Sequence, residues 1–150
     1  MAASNSNSNT GGSGYCCAEL WDNASTSAAV LEPPKGSSLS RVAAGLSGKR
    51  WASFHVDVVA ADQTTPYNIS LYFLDFEQKS IRVGVKLMSG AGLVYKTIAP
   101  MAFVEDCSRG KYVSYTVTGD VRFRFIEIPS PKGNVRGIPP RGTISGVFFD

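Results

Sequence analysis

The sequence predicts an all-β protein, an antiparallel β-sandwich or barrel of about eight short strands, with the sandwich preferred. Bulky apolar residues alternate with a period of two in segment after segment from Trp51 onward. Turn signals recur every eight to twelve residues or so, and helical periodicity is almost absent. The connections are rich in Pro and Gly, while aromatic and β-branched residues supply the thick core that two packed sheets need.

The chain is organised around Tyr67 to Met88. Tyr67, Ile69, Leu71 and Phe73 fall on one face of the first strand and Tyr72, Leu74 and Phe76 on the other, so it belongs in the middle of a sheet. After the polar turn Glu77-Gln78-Lys79-Ser80, Ile81, Val83, Val85 and Leu87 alternate against Arg82, Gly84 and Lys86. That pattern predicts a hairpin partner with one buried and one wet face.

Upstream, residues 1–14 form a polar, low-complexity leader with the composition of a linker, and 15–150 form one domain. Tyr15 to Leu31 fits an edge strand and a surface loop, and Glu32 to Ser38 is a loop because Pro33 and Pro34 remove backbone donors. Leu39 to Leu46 is a short strand. From Trp51 to Val59, Ala52, Phe54, Val56 and Val58 point inward, leaving Ser53, His55 and Asp57 on an exposed polar face. His55 and Asp57 share that face as a proton-transfer pair does, but no nucleophile accompanies them.

Downstream, Leu93 to Ile98 and Met101 to Val104 read as a strand and its continuation, interrupted at Pro100. A strand from Lys111 to Val117 turns a tight corner at Gly119-Asp120 into Val121 to Ile128, where Val121, Phe123 and Phe125 face the core and Arg122 and Arg124 do not. The Pro/Gly-rich loop from Pro129 to Gly142 carries Lys132, Arg136 and Arg141, and Thr143 to Phe149 closes the sheet.

Bulk properties exclude several classes. A chain of 150 residues with 43% hydrophobic content can bury a single core unaided. Fifteen Lys and Arg against twelve Asp and Glu leave a net +3, without the clustered basicity of a nucleic-acid binder. No apolar run reaches the roughly 18 residues of a membrane span, and no signal-peptide h-region is present. Adjacent Cys16 and Cys17 do not favour bonding each other. Either one of them reaches Cys107, or Cys107 is a free loop thiol. Asn23-Ala24-Ser25 and Asn68-Ile69-Ser70 match the N-glycosylation triplet.

Three segments, SLYFLDFEQKSIRVGVKLM, GKYVSYTVTGDVRFRFIEI and the terminal TISGVFFD, together resemble the C-terminal jelly-roll module of many secreted bacterial polysaccharide-acting and surface proteins. In that family the run is LYxLDWD, a hydrophobic strand, GxYxxWxVxGxVxFRxT and SGxFF. The resemblance covers roughly Val30 to Asp150 and departs from the pattern at Phe76-Glu77, where the family favours Trp-Asp, and at Tyr115, where it favours Trp. It implies a galactose-binding-like, carbohydrate-binding-module-like jelly roll, an appendage of a larger extracellular protein rather than an enzyme. Such modules often hold a structural calcium ion, for which Asp57, Asp62, Asp75, Glu77, Asp106 and Asp150 are the available carboxylates.

The expected function is noncatalytic carbohydrate binding. Trp21, Trp51, Tyr95 and Tyr112 are the aromatics whose flat faces can stack on sugar CH groups, and Asp75, Glu77 and Arg82 are hydrogen-bonding partners for hydroxyls. The alternative is a structural or interaction module that docks a neighbouring domain or self-associates through an exposed strand edge or the apolar 93–104 region. Asp75 and Glu77 stand about 6–7 Å apart on a strand, a spacing glycosidase carboxylates use, but such pairs come from different elements lining a cleft, which a small sandwich lacks.

Overall fold

Phe54, Val56 and Val58, then Val83, Val85 and Leu87, then Val121, Phe123 and Phe125 are the inward rows of three neighbouring strands, and all nine side chains are buried. The computed structural model describes residues 2–4, 16–22, 43–48, 53–76, 81–90, 95–128 and 143–150, the first three stretches as backbone. Among these residues every regular element is a strand and every pairing is antiparallel. No helix among them is long and apolar enough to cross a membrane.

The largest sheet has six strands. β1 (Ala2–Ser4), β4 (Phe54–Val59), β10 (Val121–Glu127), β6 (Val83–Ser89) and β7 (Lys96–Thr97) follow one another across it, and β8 (Ala102–Val104) also pairs with β6. β1 lies inside the stretch that the composition sets apart as a leader. A second sheet orders β12 (Gly146–Phe149), β5 (Pro66–Phe73) and β9 (Lys111–Thr118), with β5 in the middle as its two-sided apolar pattern predicts. A third joins β11 (Thr143–Ile144), β3 (Ala43–Gly48) and β2 (Cys16–Asp22).

The inward rows of the six-stranded sheet and of the β12-β5-β9 sheet meet in one hydrophobic cluster. Phe73 of β5 meets Phe125 of β10 at 6.2 Å between ring centroids, and Tyr115 of β9 meets Phe123 at 5.3 Å. These tilted contacts between sheets are the geometry aromatic quadrupoles favour.

The expected hairpin from Tyr67 to Met88 is corrected here. β5 and β6 belong to different sheets, so between them the chain passes from one sheet to the other instead of pairing back alongside itself. Both strands contribute their apolar rows to the same hydrophobic cluster. The crossing is anchored by Asp75, which is buried. Its amide donates to the Cys107 carbonyl at 3.0 Å, and its Oδ2 accepts from the Ile81 amide at 3.2 Å. Gly110, at φ 77°, completes the facing turn by donating to the same Cys107 carbonyl, and a Cβ there collides with the Tyr72 ring.

The corner at Gly119-Asp120 also carries the chain from one sheet to another, from β9 to β10. Gly119 takes φ 69°, its carbonyl accepts from the buried Tyr67 hydroxyl at 2.6 Å, and Asp120 Oδ1 accepts from the Ala60 amide and from Gln63 Nε2. Leu93 to Ile98 contributes only the two-residue β7, with 91–94 outside the described residues. The 129–142 loop with its three basic residues also lies outside them.

Two substitutions test this core. Phe123→Ala, at a fully buried position, is expected to cost about 3–5 kcal/mol in urea unfolding. Tyr115 Oη is buried without a hydrogen-bond partner among the described residues, so Tyr115→Phe is expected to be neutral or stabilising by about 1 kcal/mol. A loss above about 1 kcal/mol in Tyr115→Phe contradicts that environment.

Candidate functional site

Alternation along β5 and β9 sends Asn68, Ser70 and Tyr72, and Tyr112, Ser114 and Thr116, to the outer face of the three-stranded sheet. Register aligns them into rows: Gly146, Tyr72 and Tyr112; then Phe148, Ser70 and Ser114; then Asp150, Asn68 and Thr116. One end is aromatic. Tyr72 and Tyr112 lie 4.6 Å apart between centroids, and Tyr112 and Phe148 lie 6.0 Å apart. Tyr72 is buried beneath its neighbours, while Tyr112 and Phe148 remain 56% and 37% exposed. The other end is polar, with the Ser70 and Ser114 hydroxyls sharing a 2.8 Å hydrogen bond and the Thr116 hydroxyl donating to Asn68 Oδ1 at 2.8 Å.

Aromatic faces beside hydroxyl and amide groups on a flat sheet can stack against an amphipathic ring and hydrogen-bond its substituents. Burial raises the Tyr72 hydroxyl above its ordinary value of 10.0, helped by the neighbouring Tyr112 and Cys107, so it stays a neutral donor. The Asn68 triplet is on this face, at an exposed position.

The sequence-predicted residues separate. Tyr112 is central to the aromatic end. Tyr95 is half-buried beside the six-stranded sheet, with Arg122 over its ring at 4.0 Å. Arg82 is also on that side, paired with Glu105 at 3.2 Å and set over the Phe103 ring at 5.1 Å. Asp75 sits in the buried crossing already described. Trp51 and Glu77 lie outside the described residues, as does the side chain of Trp21 in β2.

Tyr72, Phe148, Ser70, Ser114, Asn68 and Thr116 were not legible as one site. Each alternates visibly on its own strand, but grouping them needs β5 paired with both β9 and β12.

The outer face of the six-stranded sheet is polar but not the exposed face that the Ser53, His55 and Asp57 alternation predicts, since His55 is only 5% exposed. Arg122 clasps Asp57 through a fork, Nε to Oδ1 at 2.5 Å and Nη2 to Oδ2 at 2.7 Å. His55 Nε2 is 3.8 Å from Asp57 Oδ2. Burial lowers its pKa below 6.5, the charges of Arg122 and Arg124 push the same way, and Asp57 opposes them.

Cys107 is free and buried, and burial pushes its thiol up to about 11, which leaves it unreactive. No group of three or more His, Cys, Asp or Glu among the described residues is arranged to hold a metal ion. Asp62 instead accepts from Thr64 and Thr65, which hold its carboxyl well below the usual range.

The chain's single histidine makes the pH response assignable. Unfolded, His55 binds its proton near pH 6.5; folded, it does so only at lower pH. Stability is therefore expected to be full above about pH 6.5 and to fall as pH drops through that value. Urea unfolding from about pH 7.5 to 5.5 checks this, with His55→Gln flattening the profile. A wild-type profile already flat across that range contradicts it.

No family model, curated protein or solved structure matches the chain.

Proposed function

We propose that the chain is a jelly-roll β-sandwich acting as a noncatalytic carbohydrate-binding module, carried by a larger secreted protein. The observation that carries this reading is the outer face of the β12-β5-β9 sheet, where exposed Tyr112 and Phe148 lie beside a hydroxyl and amide row. Tyr112 stacks on the CH face of a sugar ring, and Ser114, Asn68 and Thr116 meet its hydroxyls. A chain of linked sugars extends along the strands, because successive outward residues repeat about every 6.8 Å. The common core of the six-stranded sheet and the β12-β5-β9 sheet supports the sandwich.

A second reading is favoured by β9. Among the described residues it is an edge strand, and its residues after Lys111 are uncharged and rich in β-forming types, so it can dock a neighbouring domain or a second copy.

Affinity electrophoresis through gels containing soluble polysaccharides tests the first reading. At least one polysaccharide is expected to retard the protein, and Tyr112→Ala is expected to weaken that retardation at least tenfold, about 1.4 kcal/mol, with its melting temperature kept. Unretarded wild-type protein across neutral and acidic polysaccharides sinks the reading. Concentration-dependent dimerisation in size-exclusion chromatography without any retardation favours the second.

A further inference from the structure

On the far side of the core, register places Arg124 of β10 directly between His55 of β4 and Lys86 of β6. Neighbouring strands are about 4.8 Å apart, so three basic side chains share a row about 10 Å wide that contains no carboxylate among the described residues. Like charges placed directly opposite one another across strands repel. The adjacent row has a carboxylate, Asp57, but the Arg122 fork engages both of its oxygens. The row on the other side holds Ile126 and Gly84 and has no charge to offer.

Arg124 instead directs Nε and Nη2 at the Ser53 hydroxyl oxygen, at 3.1 and 2.9 Å. Two N–H groups aimed at that oxygen leave its own O–H to donate elsewhere. Arg124 is exposed and Lys86 half-buried, and neither joins an ion pair among the described residues. Among the described residues the row therefore gathers donors and positive charge with no anion of its own, the pattern that recognises a compact oxyanion.

We propose that Arg124, Lys86 and Ser53 form a binding site for a tetrahedral oxyanion of the sulfate-ester or phosphate-ester class, with His55 as its wall. Arg124 gives directional N–H donors, Lys86 a point charge and Ser53 a neutral donor. The site lies on the opposite sheet from Tyr112, so it stands or falls apart from the aromatic face.

His55, the chain's only histidine, is a single reporter. Its imidazole signals are followed by NMR while sodium sulfate, or sodium phosphate, replaces sodium chloride at constant ionic strength. At least one of these anions is expected to move the signals along a saturating curve and to raise the His55 pKa, since a bound anion offsets the charges of Arg122 and Arg124 while Asp57 stays engaged. Arg124→Gln is expected to weaken binding at least tenfold and Lys86→Gln several-fold. Lys96→Gln, on β7, and Tyr112→Ala leave it unchanged. Competition by a sulfated polysaccharide but not its desulfated form assigns the sulfate ester; competition by a sugar phosphate assigns the phosphate ester. Either result supports the site. Non-saturating shifts with both anions, or titrations that Arg124→Gln leaves intact, overturn it.

Discussion

The contact between the inward rows of two sheets is the constraint on which the rest of the molecule depends. Ile69, Leu71 and Phe73 on one side and Val83, Val85, Phe123 and Phe125 on the other are almost wholly removed from water. At about 25 cal/mol per Å² of apolar surface, residues of this size contribute roughly 1.5–3 kcal/mol each, an upper estimate because the unfolded chain is itself partly collapsed. Every outward side chain takes its position from this packing, because the two-residue period of a strand leaves no freedom once one face is committed.

That constraint explains how the two faces acquire different chemistry. Behind β5 and β9 stand Tyr72, Tyr112 and a run of hydroxyl and amide groups; behind β4, β6 and β10 stand His55, Asp57, Lys86, Arg122 and Arg124. One face has an aromatic end and a hydroxyl and amide row that ends on Asp150, and the other carries Lys86, Arg122 and Arg124 beside Asp57. Cross-strand pairs do the local ordering on both, through ring contacts on the first and the Asp57–Arg122 fork on the second. The proposed sugar platform and the proposed oxyanion site thus lie on different sheets that share one hydrophobic cluster.

The crossings between sheets are held by polar groups, as they must be where the chain leaves its hydrogen-bonded ladders. Asp75 supplies an acceptor for Ile81 inside one crossing, and its burial follows from that structural task. Tyr67 and Asp120 do equivalent work at the Gly119 corner, where the backbone enters the left-handed region.

The sequence by itself determined the all-β class, the inward rows of β4, β6 and β10, the central place of β5 in a sheet, and the corner at Gly119, because alternation and turn chemistry are local properties of neighbouring residues. It also named Tyr112, together with Trp21, Trp51 and Tyr95, as an aromatic expected at the surface, and Tyr112 is exposed. Only the tertiary structure decided that β5 and β6 lie in different sheets, that β5 takes β9 and β12 as neighbours, and that His55 is buried on an outward-facing row. These depend on which distant strands pair, and alternation is the same whether a strand folds back beside its predecessor or crosses over it. The grouping of Tyr72, Tyr112 and Phe148, and the row of His55, Arg124 and Lys86, come from pairing residues far apart in the chain, so no local pattern contained them.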